Sequence, residues 1–177
     1  MGKLIVSSLV SLDGGQHAPQ SWASEYFDEH SVAKSVARLE HCDAMLMGRN
    51  TYEYLKPSWS SASGLYLDRI NSMRKYVFSS TLRSADWNNS EIVSGDPVTE
   101  VAKLKQDSSG DLVIYGCGQL GQTLLEHDLV DVLDIWVHPV ILGTGEALFR
   151  PGPRKDLRLH SVDQRPTGVV SLTYVRP

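Results

Sequence analysis

Two short stretches place glycines where a buried strand gives way to a helix. In AMLMGRNTYE, Ala44 to Glu53, an apolar run stops at Gly48 and turns polar at Arg49. In VIYGCGQLGQTLLEH, Val113 to His127, the glycines are Gly116, Gly118 and Gly121. The chemistry such corners offer is anion binding. The first backbone N–H groups of a helix have no intrahelical partner, and the aligned peptide dipoles add partial positive charge at that end. A glycine at such a junction also serves a plain turn, so either corner alone is a weak signal. Two in one sheet can hold a single pyrophosphate between two helix N-termini at the carboxyl ends of the strands.

The second corner formally satisfies G-x-G-x-x-G, but a dinucleotide fingerprint belongs to the first strand-helix-strand unit and needs an acid at the end of the next strand. Asp131 and Asp134 fall before or early in the following strand, the wrong end for a ribose. The glycines still allow close backbone approach to a ligand. Between the corners, KYVFSST ends in Ser79, Ser80 and Thr81. No acid stands there to accept from a ribose 2′-OH, whereas hydroxyls beside Arg49 or Arg83 suit a 2′-phosphate, which favours NADP over NAD. The same three residues equally suit a turn that caps the next element.

Other chemistry is sparse. Cys42 and Cys117 stand far apart and read as packed small residues, with no C-x-x-C knuckle. His41, Cys42 and Asp43 are consecutive and do not converge on one metal, so no metal site is expected. Asp13, in LDGG, is the first choice for a polar group near a reacting centre, against a plain role as a turn residue.

The elements that must position these groups alternate. KLIVSSLVSL, DAMLMG, KYVFSST, SEIVSG, DLVIYG and DVLDIWVHPVIL read as strands. SEYFDEHSVAKSVARLEH reads as a helix capped by Ser24, with Phe27, Val32, Val36 and Leu39 on its apolar stripe. RNTYEYL begins a second helix, Asp96 and Pro97 open a third that runs to about Gln106, and the second glycine corner opens a fourth. LRLHSVD and GVVSLTYV form a closing antiparallel pair. Near-continuous apolar strands alternating with helices predict an α/β fold of three layers, αβα, on a mixed, mostly parallel sheet. Pro57 to Met73 is a serine-rich connection expected to border a pocket or interface. At 177 residues, 41% hydrophobic and 21% charged, the chain suits one globular domain spanning 1–177. The net charge of −4 argues against nucleic acid or an anionic membrane as partner, and the N-terminal run lacks a cleavage pattern, so a cytoplasmic location is expected.

MLMGRNTYE, KYVFSST and LVIYGCGQLGQTLL resemble, in order and spacing, the cofactor-binding segments of dihydrofolate reductase. SSLVSLDG and HPVILGTGEALF look more like the reductase domain of the bifunctional riboflavin-pathway deaminase-reductase, which shares that fold. The resemblance covers essentially the whole chain and implies a free-standing member, since no H-x-E with P-C-x-x-C is present. It implies that Gly48, Arg49 and Thr51 line the phosphate end of NADPH, that Ser79, Ser80 and Thr81 lie by the 2′-phosphate, and that Gly116, Cys117, Gly118, Gln119 and Leu120 wrap the pyrophosphate and nicotinamide. Ser11, Leu12, Asp13 and Gly14 would begin the loop covering the nicotinamide. The reaction implied is NADPH reduction of a small heterocycle or ribosylamine, as by 5-amino-6-(5-phosphoribosylamino)uracil reductase, with Arg69, Arg74 or Lys75 as candidates for a substrate phosphate. The alternatives are dihydrofolate reduction, for which Glu25 or Asp28 after Trp22 would be the protonating acid, and a non-catalytic NADP-binding module. By analogy with the riboflavin enzymes, a homodimer is expected.

Overall fold

The computed structural model describes all residues, 1–177. Eight strands form one sheet: β1 (Leu4–Ser11), β2 (Cys42–Gly48), β3 (Arg74–Phe78), β4 (Ser90–Val93), β5 (Asp111–Tyr115), β6 (Val132–His138), β7 (Arg158–Gln164) and β8 (Val170–Val175), in the order β4-β3-β2-β5-β1-β6-β8-β7. The first six are parallel, β8 runs antiparallel to β6, and β7 antiparallel to β8. Five helices cover it: α1 (Glu29–Glu40), α2 (Arg49–Trp59), α3 (Leu65–Ser72), α4 (Pro97–Asp107) and α5 (Gln119–Glu126).

The strands read as unbroken apolar runs because both faces are covered. Along them, alternate residues enter two different cores. Ile5, Met45, Met47 and Val113 pack with Leu39, Tyr52, Leu55 and Ile70 from α1, α2 and α3. Leu4, Val6, Leu46 and Ile114 pack with Val101 and Leu124 from α4 and α5. The result is the expected three-layer αβα fold on a mixed sheet, with the closing hairpin in place.

Three local expectations are corrected. The first helix begins at Glu29, because Asp28, not Ser24, caps it: its carboxylate accepts from the Ser31 N–H and Oγ, both at 2.8 Å, while Ser24–Tyr26 forms a separate 3-10 turn. Its buried face is Ser31, Ser35 and Leu39 rather than the stripe through Phe27, Val32 and Val36. The serines serve a polar interior, for Ser31 Oγ accepts from the buried Arg165. The serine-rich segment is largely helical: α2 carries Pro57 in its last turn, where little backbone bonding remains to be lost, and α3 follows within it. The last long strand stops at His138, since Pro139 cannot donate to a ladder.

Leu159 and Val162 of β7 lie on the same face as Leu172 and Tyr174 of β8 because the register slips by one residue between Leu159 and Ser161. That face continues Leu133 and Ile135 of the core. At β7 it is exposed, with Leu159 at 48% and Val162 at 55%.

Candidate functional site

β2 and β5 are neighbours, paired through Leu46 and Ile114, so the corners that end them lie side by side at the carboxyl edge of the sheet. Gly48 is the N-cap of α2 and Gly118 that of α5, and neither helix has a side-chain cap. Asp28 and Asp96 cap α1 and α4 with carboxylates, while α3 is also uncapped, behind Gly64, but does not follow a strand. A Cβ built on Gly48, Gly116 or Gly118 would meet nothing within 4 Å, and Gly116 sits at φ 79°, where a side chain is strained. Gly121 differs: its position lies 3.4 Å from the Cys117 Sγ, so that glycine serves packing.

Both corners open into one cleft of about 1530 Å³, which Gly48, Arg49, Thr51, Ser79, Ser80, Thr81, Gly116, Gly118, Gln119 and Leu120 all line. Arg49 Nη1 donates to Thr81 Oγ1 at 2.8 Å and its Nε to Glu53 at 2.8 Å. Ser79 Oγ accepts from the N–H groups of Thr81 and Leu82, so it turns the chain, while Ser80 and Thr81 stand with Arg49 at the cleft wall. No group of three or more His, Cys, Asp or Glu side chains is placed to hold a metal ion.

The other sequence candidates lie off the cleft. Ser11 is buried and donates to Asp13 at 2.6 Å, and Asp13 accepts the N–H groups of Leu142 at 3.2 Å and Gly143 at 2.8 Å. Those bonds, led by the Ser11 hydroxyl, hold the Asp13 carboxyl down at about 2. Asp13 thus ties β1's following loop to residues 139–143 rather than facing a reacting centre. Leu12 is exposed, and Gly14 provides the turn at φ 85°. The loop reaches the cleft two residues later, at Gln16 and His17. Cys117 is buried, with its thiol pushed up to about 12 by desolvation, which makes it unreactive at neutral pH. Asp28 is spent on its helix cap and Glu25 is exposed, so neither carboxylate lines the cleft. Of the cations suggested for a substrate phosphate, Arg69 bonds the carbonyls of Leu39 and Cys42, Lys75 those of Asn71, Met73 and Asn88, and Arg74 the Tyr76 hydroxyl. None of the three lines the cleft.

Sequence reasoning missed the other wall. Phe27, Trp59, Tyr66, Tyr115 and Trp136 line the cleft together with Arg38. Arg38 pairs with Asp134, 2% exposed in the middle of β6, which also accepts from Ser7, Trp136 Nε1, Ser171 and Thr173. A carboxylate within an apolar strand cannot remain buried without partners, and Asp134 in VLDIWVH was the available signal.

The eight-stranded sheet, parallel but for its closing hairpin and with a cleft at the carboxyl ends of its strands, matches the dihydrofolate reductase-like class that the resemblance implied. Within that class the chain belongs to the family described as the RibD C-terminal domain, which matches residues 2–171. It is 30% identical over 181 residues to YyaP of Bacillus subtilis (strain 168), covering 97% of this chain and 94% of that one, and 28% identical over 178 residues to YwjB of the same organism, covering 98% of each. A putative riboflavin biosynthesis protein from Shewanella sp. PV-4 superposes with a TM-score of 0.82 at 25% identity over 99% of both chains. A pyrimidine reductase-like protein from Corynebacterium diphtheriae gives 0.72 at 12% identity, covering 98% of this chain and 91% of that one. A diaminohydroxyphosphoribosylaminopyrimidine deaminase/5-amino-6-(5-phosphoribosylamino)uracil reductase from Thermotoga maritima gives 0.70 at 14% identity over 99% of this chain and 57% of that one.

Proposed function

We propose that this protein is an NADPH-dependent reductase acting on a small heterocyclic or ribosylamine substrate. The observation that carries the reading is the convergence on one cleft of the two glycine corners that end β2 and β5, each opening an uncapped helix, with Arg49, Ser80 and Thr81 along the same wall. The free N–H groups at the starts of α2 and α5 would hold the pyrophosphate, and the open side of Gly48, Gly116 and Gly118 gives it room. Arg49 and Thr81 would hold the 2′-phosphate. When bound, NADPH supplies a hydride.

The chain's part is to orient, to exclude water and to hold protons. The carboxylates lining the cleft are Asp96, which caps α4, and Glu146, which pairs with Arg150. The folate reading therefore lacks its acid, and the riboflavin-type reading is favoured. The Tyr115 hydroxyl is pushed up to about 12 by burial, so it keeps its proton at neutral pH beside the cleft.

The exposed apolar face of β7 and β8 supports a homodimer as part of the proposal.

Fluorescence titration of the purified protein with NADPH and NADH tests the reading. NADPH binding that is about tenfold or more tighter is expected, as one charge-assisted hydrogen bond to the 2′-phosphate provides. Equal affinity, or no binding, would count against it.

A further inference from the structure

We infer that the aromatic wall of the cleft receives an uncharged, planar, unphosphorylated heterocycle. The inference deepens the reductase reading and rests on it for assigning the opposite wall to the dinucleotide.

Phe27 and Trp136 stack at 6.2 Å and 20°, and Trp59, Tyr66 and Tyr115 meet edge-on with centroids 5.8 to 6.2 Å apart. All five line the cleft, which makes a surface for the face of a ring rather than for a sugar phosphate. Lys34, Arg38 and Arg165 surround the Trp136 ring, yet only Arg38 lines the cleft. Its guanidinium is already committed to the Asp134 carboxylate and the Ser7 hydroxyl. A phosphate brought to Arg38 would approach a buried carboxylate and leave part of the pair unmatched. The Tyr115 hydroxyl is buried beside that of Tyr66, so it belongs to the packing of the wall rather than to its open face. Tyr115 directly precedes Gly116, so a ring held there lies against the second glycine corner.

Riboflavin and FMN share one ring system and differ by a terminal phosphate, so they serve as probes, with binding read from quenching of flavin fluorescence. Riboflavin is expected to bind about tenfold or more tighter than FMN, and Tyr66→Leu and Trp59→Leu each to weaken it about tenfold, the scale of one ring stack. An excess of 2′,5′-ADP, which carries the phosphates assigned to the opposite wall, leaves riboflavin bound. Circular dichroism and thermal unfolding establish that each variant is folded. FMN binding as tightly as riboflavin, binding of neither, or displacement by 2′,5′-ADP overturns the inference. NADPH is titrated separately: riboflavin binding of this pattern without NADPH binding overturns the reductase reading and leaves the aromatic site standing, and the reverse overturns the aromatic site alone.

Discussion

The side-chain amide of Gln16 spans both backbone polar groups of Cys117. Its Nε2 donates to the Cys117 carbonyl at 3.1 Å, and its Oε1 accepts from the Cys117 N–H at 3.1 Å. The residue between Gly116 and Gly118 is thereby pinned by a chain segment one hundred and one positions away. Gln16 fixes the second corner as a ladder bond would fix a strand.

Gln16→Ala is accordingly expected to weaken NADPH about tenfold, the equivalent of about one to two hydrogen bonds, and to lower stability modestly, since the Cys117 N–H loses its partner. Gln16→Glu keeps the acceptor for the Cys117 N–H but sets a carboxylate against its carbonyl and beside the pyrophosphate, and is expected to weaken NADPH at least as much as Gln16→Ala. A titration of all three proteins checks the order.

Arg49→Ala is expected to weaken NADPH far more than NADH, by about tenfold to a hundredfold, because the guanidinium's charge-assisted hydrogen bond is made only with the 2′-phosphate. Glu53 competes for Arg49 as its helical neighbour at 2.8 Å, so Glu53→Gln is expected to tighten NADPH. Equal weakening of both nucleotides in Arg49→Ala would remove the 2′-phosphate assignment.

Asp134→Ala leaves Arg38 buried without its partner, which is expected to cost about 3–5 kcal/mol of stability by urea unfolding. Replacing both members, as Arg38→Met with Asp134→Leu, is expected to recover only part of that stability, because Ser7, Trp136, Ser171 and Thr173 still lose their acceptor.

The Asp13 carboxyl sits at about 2, below the ordinary carboxylate value of about 4. A depressed acid stabilises the fold fully above its unfolded value and loses that contribution as pH falls through its folded value. Amide exchange at Leu142 and Gly143, whose N–H groups Asp13 accepts, is therefore expected to stay protected at pH 5 and to open as pH falls from about 4 towards 2. In Asp13→Asn that pH dependence is expected to vanish.

Val162→Asp places a charge in the exposed apolar face of the hairpin. If that face joins two copies, light scattering of the variant shows the mass of a monomer where the native protein shows that of a dimer.

Sheet and corners were legible in the sequence because they depend on local signals. Continuous apolar runs mark strands covered on both faces, and Gly48, Gly116 and Gly118 mark corners that leave the space beside them open. The aromatic wall was not legible, since Phe27, Trp59, Tyr66, Tyr115 and Trp136 come from five separate segments that only the sheet order brings together. Asp13 and Asp28 misled for a related reason. An aspartate that faces a ligand and one that accepts backbone N–H groups look alike in sequence, and here both accept N–H groups. Pro57 and its serines hid a helical segment because a proline in a last turn removes little bonding, though it reads as a break.

The central claim is that the starts of α2 and α5 grip one dinucleotide together. The most direct measurement is the set of backbone amide shifts in an NMR titration with NADPH. Large shifts are predicted at Arg49 and Asn50 in the first corner and at Gln119 and Leu120 in the second, saturating at one common NADPH concentration. Shifts confined to a single corner, or none at either, would contradict the account.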